Sequence, residues 1–132
     1  MNTITLQDKT FEIFINEKNI TELVNTVADS INNSKIEAPL FIAIMNGAFI
    51  FAADVMRKIT IPNSEISFVK LSSYVGTKTS GEVNQLIGIN NDIAGRNIIV
   101  LEDIVETGIT LENIINLLKK ENVNDIKIAT LL

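Results

Sequence analysis

Two short apolar runs govern what this 132-residue chain can become: APLFIAIM, Ala38 to Met45, and NIIVLED, Asn97 to Asp103. Each is too short for a helix that packs by one stripe, and each is bounded by turn residues. Asn46-Gly47 closes the first, and Gly95-Arg96 opens the second. Runs that are apolar on both faces are the mark of strands buried in a parallel sheet. Between and around them the period changes to that of helices. Ile20, Leu23, Val24, Val27 and Ile31 keep the i, i+3, i+4, i+7 spacing, as do Leu111, Ile114, Ile115 and Leu118. AFIFAADVMRKI, after Gly47, reads as a helix that ends in Arg57-Lys58, where cations suit the dipole. EISFVKL (65–71) and DIKIATLL (125–132) read as further strands, and VNQLIGI (83–89) is a candidate strand. Strands alternating with helices predict an α/β fold with a doubly wound, mainly parallel sheet flanked by helices. The chain length fits a single domain over 1–132. No internal repeat, low-complexity segment or linker divides it.

Composition narrows the chemistry. Apolar residues make 46% and charged residues 20%, a globular balance. Cysteine and histidine are absent, so any general acid or base is Asp, Glu, Lys or Tyr. A net charge of −5 argues against nucleic acid as a partner. The longest apolar stretch, Leu40 to Ala53, is broken by Asn46-Gly47 and is too short to span a membrane. The start MNTITLQDKT lacks the basic and apolar blocks of a signal peptide, so the expected location is cytoplasmic.

The sharpest local feature is VLEDIVETGITL, Val100 to Leu111. Glu102 and Asp103 stand at the carboxyl end of a strand, which is where open α/β sheets bind ligands. Thr107, Gly108, Ile109 and Thr110 lead into the next helix. Free N–H groups and the positive dipole end there suit a phosphate. Gly108 permits close backbone approach, and Thr107 and Thr110 offer hydroxyls. Paired acids repel a phosphate but fit ribose hydroxyls or a hard cation such as Mg2+. Phosphate cradle and sugar clamp side by side have the shape of a ribose 5-phosphate site. Taken in isolation, the same turn reads more simply as a capped β–α connection with solvated acids.

The full string is more specific than one turn. An apolar run, two acids, two apolar residues, an acid and Thr-Gly-x-Thr resembles the signature of the phosphoribosyltransferases. MNGAF, SFVKLSSYVGTKTSGEV and IKIATLL resemble the hypoxanthine-guanine branch of that family, in matching order from about Asp8 onward. The resemblance implies a type I phosphoribosyltransferase fold. It also implies transfer of ribose 5-phosphate from phosphoribosyl pyrophosphate to a purine base, hypoxanthine or guanine, with Mg2+ bound, in purine salvage. Glu102 and Asp103 match the ribose and metal acids, and 107–110 match the 5-phosphate loop. Met45, Asn46 and Gly47 match a turn whose backbone meets pyrophosphate, often through a non-proline cis peptide. Ser73 and Tyr74 match the tip of a lid over the substrate, in a polar segment, Ser72 to Glu82, expected to be loosely held. Lys70 matches a basic position near pyrophosphate and reads equally well as a solvated strand-end lysine. Relatives are usually dimers or tetramers, so a homo-oligomer is expected.

Two departures from the family pattern stand out. The third acid, the candidate base toward the purine, is normally aspartate and here is Glu106. One extra methylene moves a carboxylate by roughly an ångström, enough to cost on the order of a hundredfold. The family's purine-reading lysine, stacking aromatic and further metal acid follow the strand IKIATLL, where this sequence ends. The expectation is therefore a phosphoribosyl half-site without its C-terminal purine-binding segment. The alternatives are a non-catalytic regulatory paralogue that binds phosphoribosyl pyrophosphate or a nucleotide, and an inert structural domain. The intact phosphate and acid loop argues against the inert domain, and the abrupt apolar ending favours a longer parent chain over the paralogue.

Overall fold

The structure is a computed structural model, and it describes residues 3–72, 84–87 and 92–132. Its elements run β1 (Thr3–Leu6), β2 (Lys9–Glu12), α1 (Glu17–Asn32), β3 (Leu40–Ile44), α2 (Phe49–Met56), β4 (Glu65–Ser72), β5 (Asn84–Ile87), β6 (Asn97–Glu102), α3 (Ile109–Lys120) and β7 (Asp125–Thr130). The main sheet has five strands in the order β5-β4-β3-β6-β7. β4, β3, β6 and β7 are parallel, and β5 joins β4 antiparallel at one edge. The expected α/β class and mainly parallel sheet are therefore present. Of the candidate strand at 83–89, the described part, Asn84–Ile87, forms β5, and it runs against β4.

The two apolar runs form adjacent central strands, with Leu40 beside Ile98 and Ala43 beside Leu101. All five residues of β3 are buried, as are the last five of β6. Burial on both faces explains why neither run alternates. One face carries Phe41, Ala43, Ile99 and Leu101 against α1 and α2; the other carries Leu40, Ile42, Ile98 and Val100 against α3. Apart from Ala43, each such side chain stabilises the fold by about 1.5–3 kcal/mol before entropy is counted.

The helices form where local and packing preferences agree. Asn16 caps α1, its Oδ1 accepting the Asn19 N–H at 2.9 Å. The buried stripe of α1 is Val24, Ala28 and Ile31, while Ile20 and Leu23 sit at its margin, each 38% exposed. α2 stops at Met56, short of the expected end, and Arg57 serves as its cap. α3 buries Leu111, Ile114 and Leu118 and finishes on Lys119 and Lys120.

β3 passes through α2 to β4 on one side, and β6 passes through α3 to β7 on the other. The winding therefore reverses between β3 and β6. That reversal leaves a crevice beyond their carboxyl ends, the preferred ligand position in such sheets.

One element was not expected. β1 and β2 form a two-residue hairpin, Leu6 opposite Lys9, with Gln7 at φ 57°. Both strands are exposed throughout.

Candidate active site

The loop leaving β6 encloses a cavity of about 300 Å³, lined by residues 102–108 with Thr110 and Leu111. Every acid predicted for the site lines it: Glu102, Asp103 and Glu106. So do Thr107, Gly108 and Thr110. Ile109 belongs to the loop through its backbone, while its side chain is 61% exposed and stays outside the lining. A second cavity, between α1 and β7, has among the described residues Lys127 as its one charged lining residue and none of those predicted for the site.

Gly108 caps α3 in the left-handed conformation, φ 79° and ψ −4°. α3 starts at Ile109, within the segment 107–110 expected to lead into it. The Ile109 N–H donates to Thr107 Oγ1 at 3.3 Å, so this hydroxyl braces the turn as an acceptor and keeps its own O–H to give. The next first-turn N–H groups have no partner within a helix, which makes them anion donors.

Adjacent in sequence, Glu102 and Asp103 differ in surroundings. Glu102 is buried, and Asp103 is half-buried. Burial pushes the Glu102 carboxyl up to about 7, and the hydrogen-bonded, charged Asp103 side chain pushes the same way. The Asp103 N–H, donating to Glu102 Oε1 at 3.2 Å, pulls weakly against them. A cation between the two acids would reverse this balance. Two adjacent carboxylates suit Mg2+, which takes one or two carboxylates and completes its shell with water and substrate oxygens.

The turn after β3 contributes the second wall of the crevice. Met45-Asn46 is a cis peptide, as the family resemblance implied. Its neighbour Gly47 lies against Asp103: a Cβ at 47 would stand 3.0 Å from Oδ1 and 3.3 Å from Oδ2. The Met45 N–H donates to the Val69 carbonyl at 2.8 Å, which sets half-buried Lys70 next to this turn. Met45, Asn46, Gly47 and Lys70 do not line the 300 Å³ cavity; the turn meets the loop through Asp103. Ser73, Tyr74 and most of the expected lid lie outside the described residues.

Three lining residues were missed in the sequence: Leu111, read only as part of the helix stripe, and the two that follow Asp103. Ile104 and Val105 form an exposed apolar wall between the acids, 51% and 36% accessible. Apolar residues in a loop that solvent reaches were the available signal.

Residues 13–132 match the phosphoribosyl transferase domain. The chain belongs to the phosphoribosyltransferase family, on its hypoxanthine-guanine branch. It is 32% identical over 126 residues to a hypoxanthine-guanine phosphoribosyltransferase of Dictyostelium discoideum, covering 92% of this chain and 70% of that protein. It is 34% identical over 128 residues to a hypoxanthine phosphoribosyltransferase of Buchnera aphidicola, covering 93% and 71%. A crystal structure of a hypoxanthine-guanine phosphoribosyltransferase from Bacillus anthracis superposes with a TM-score of 0.80 at 33% identity, over 91% of this chain and 69% of that one.

Proposed function

We propose that this chain supplies the phosphoribosyl side of a purine-salvage enzyme. That enzyme transfers ribose 5-phosphate from phosphoribosyl pyrophosphate to hypoxanthine or guanine and releases pyrophosphate. The observation that carries the reading is the meeting, at the sheet's reversal point, of the acid-and-phosphate loop with the Met45–Gly47 turn. Family membership and the names of the relatives support the same reaction. None of them favours the regulatory alternative.

The proposed roles follow from the chemistry of each position. The α3 N-terminus, Gly108 and the Thr110 hydroxyl hold the 5-phosphate through N–H and O–H donors. Asp103 and Glu102 face the ribose hydroxyls and Mg2+, which when bound neutralises pyrophosphate charge as it departs. The backbone at 45–47 and the Lys70 ammonium bind the pyrophosphate side. Glu106, exposed on the loop, holds or takes a proton on the purine side. We further propose a single phosphoribosyltransferase domain whose purine-binding segment lies outside these 132 residues, in line with the 70% coverage of the relatives. A homodimer or tetramer is part of the proposal, and exposed Phe49, Ile50, Ile66 and Phe68 offer apolar contact area. A cytoplasmic location goes with the reaction, because a multiply charged sugar phosphate does not cross a bilayer unaided.

Titration calorimetry with phosphoribosyl pyrophosphate, with and without Mg2+, tests the binding half. The 132-residue chain should bind weakly and only with Mg2+ present. In an assay of inosine or guanosine monophosphate it should turn over little, since positioning of the purine is worth up to about 7–11 kcal/mol. No binding in either condition would sink the proposal.

A further inference from the structure

The chain has glycines at two points of the candidate site, and they are there for different reasons. Gly108 has a left-handed backbone and open space around its missing Cβ. Gly47 is not among the positive-φ glycines, so its backbone conformation does not call for glycine. What fills its side-chain space is the Asp103 carboxylate, with Oδ1, Oδ2 and Cγ at 3.0, 3.3 and 3.5 Å from an ideal Cβ. Ordinary contact begins near 3.4 Å, so any side chain at 47 must displace that carboxylate. Asp103 has little freedom to yield by moving its backbone. Its N–H is bonded to Glu102 Oε1, and its carbonyl accepts the Leu132 N–H at 3.0 Å. Strain at 47 therefore falls on the rotamer of Asp103.

We propose that Gly47 is a positioning residue that acts through Asp103. Its bare Cα is the seat on which the carboxylate rests, so the pyrophosphate-side turn and the ribose and metal acid are set as one unit. The inference builds on the proposed function, which makes Asp103 a ligand of Mg2+ and ribose. It differs from a direct role of the 45–47 backbone in binding pyrophosphate. A direct role would be lost independently of Asp103; a role through Asp103 vanishes once that carboxylate is gone.

A double-mutant cycle separates the two. Binding of phosphoribosyl pyrophosphate with Mg2+ is titrated for the native chain, Gly47→Ala, Asp103→Ala and the double variant. Gly47→Ala should weaken binding about tenfold, less than the hundredfold of a full ångström's misplacement. The double variant should bind no worse than Asp103→Ala alone. Losses that multiply in the double variant would overturn the proposal and assign the glycine to the turn itself. Thermal unfolding gives an arm independent of ligand. Gly47→Ala should lower Tm, and in the Asp103→Ala background, where the obstructing carboxylate is gone, Tm should be restored to that of Asp103→Ala alone. Failure to restore it overturns the coupling, whether or not the variants bind. A native chain that binds nothing, with the Tm rescue intact, would instead refute the proposed function and leave the steric coupling standing.

Discussion

The turn after β3 and the loop after β6 leave neighbouring parallel strands at the same end of the sheet, yet they are built on opposite principles. The β3 turn is short. α2 starts at Phe49 behind Ala48, which makes no side-chain cap, and residues 45–48 carry no charge. It works by leaving room. The β6 loop runs from Asp103 to Gly108, carries acids and a hydroxyl, and needs one residue in the left-handed conformation. It works by charge and by backbone direction. The crevice therefore has a turn without charged side chains on one side and an electrostatically loaded loop on the other.

The comparison breaks most readily at Glu102, where the largest effect is expected. Its carboxyl is raised from the usual 4.5 to about 7, so the folded protein holds that proton more tightly than the unfolded chain. The resulting stability is fully present below pH 4.5 and is lost as pH rises through 7, with a ceiling of about 3 kcal/mol. In EDTA, urea unfolding of the native chain should weaken between pH 5 and pH 8. Glu102→Gln should flatten that part of the profile and be the more stable at pH 8. Parallel profiles would mean that the loop is not loaded as described.

Gly108→Leu comes next. A left-handed non-glycine residue costs about 1–2 kcal/mol in stability, and the distorted cradle should bind ribose 5-phosphate at least tenfold more weakly, within the range that ångström-scale misplacement commands. Unchanged stability would show that conformation is not what the glycine provides. Thr110→Val should cost about 1.5 kcal/mol in ribose 5-phosphate affinity, one hydrogen bond to a charged group at the modest end of its range. The smallest effect is expected at Glu106→Gln, less than about twofold in the same titration, because exposed charges interact weakly in water. Equal losses at Thr110 and Glu106 would erase the division between the phosphate and purine sides of the loop.

Much of this was legible in the sequence, for identifiable reasons. β3 and β6 announced themselves because burial on both faces leaves an unbroken apolar run. The 102–110 loop was legible because acids and Thr-Gly-x-Thr directly after such a run are a rare combination. The direction of β5 was not legible, since a short segment such as Asn84–Ile87 can pair either way and its partner decides. The β1–β2 hairpin was missed because its turn, Gln7-Asp8, lacks the Asn-Gly or Asp-Gly signal of tight hairpins, and no face of it is buried. Glu102 and Asp103 look interchangeable as letters, and only packing turns one inward. The seat at Gly47 was hidden because a glycine needed for a neighbour's carboxylate reads like a glycine needed for a bend.

The end of β7 has a practical consequence. Leu132 is stitched to the β6 loop twice: its N–H donates to the Asp103 carbonyl and its carbonyl accepts the Val105 N–H, both at 3.0 Å. Whatever is joined behind Leu132 leaves the fold at the rim of the crevice. An affinity tag attached there would crowd the acids and distort a binding measurement. An environment-sensitive dye attached there would serve as a built-in reporter of ligand arrival.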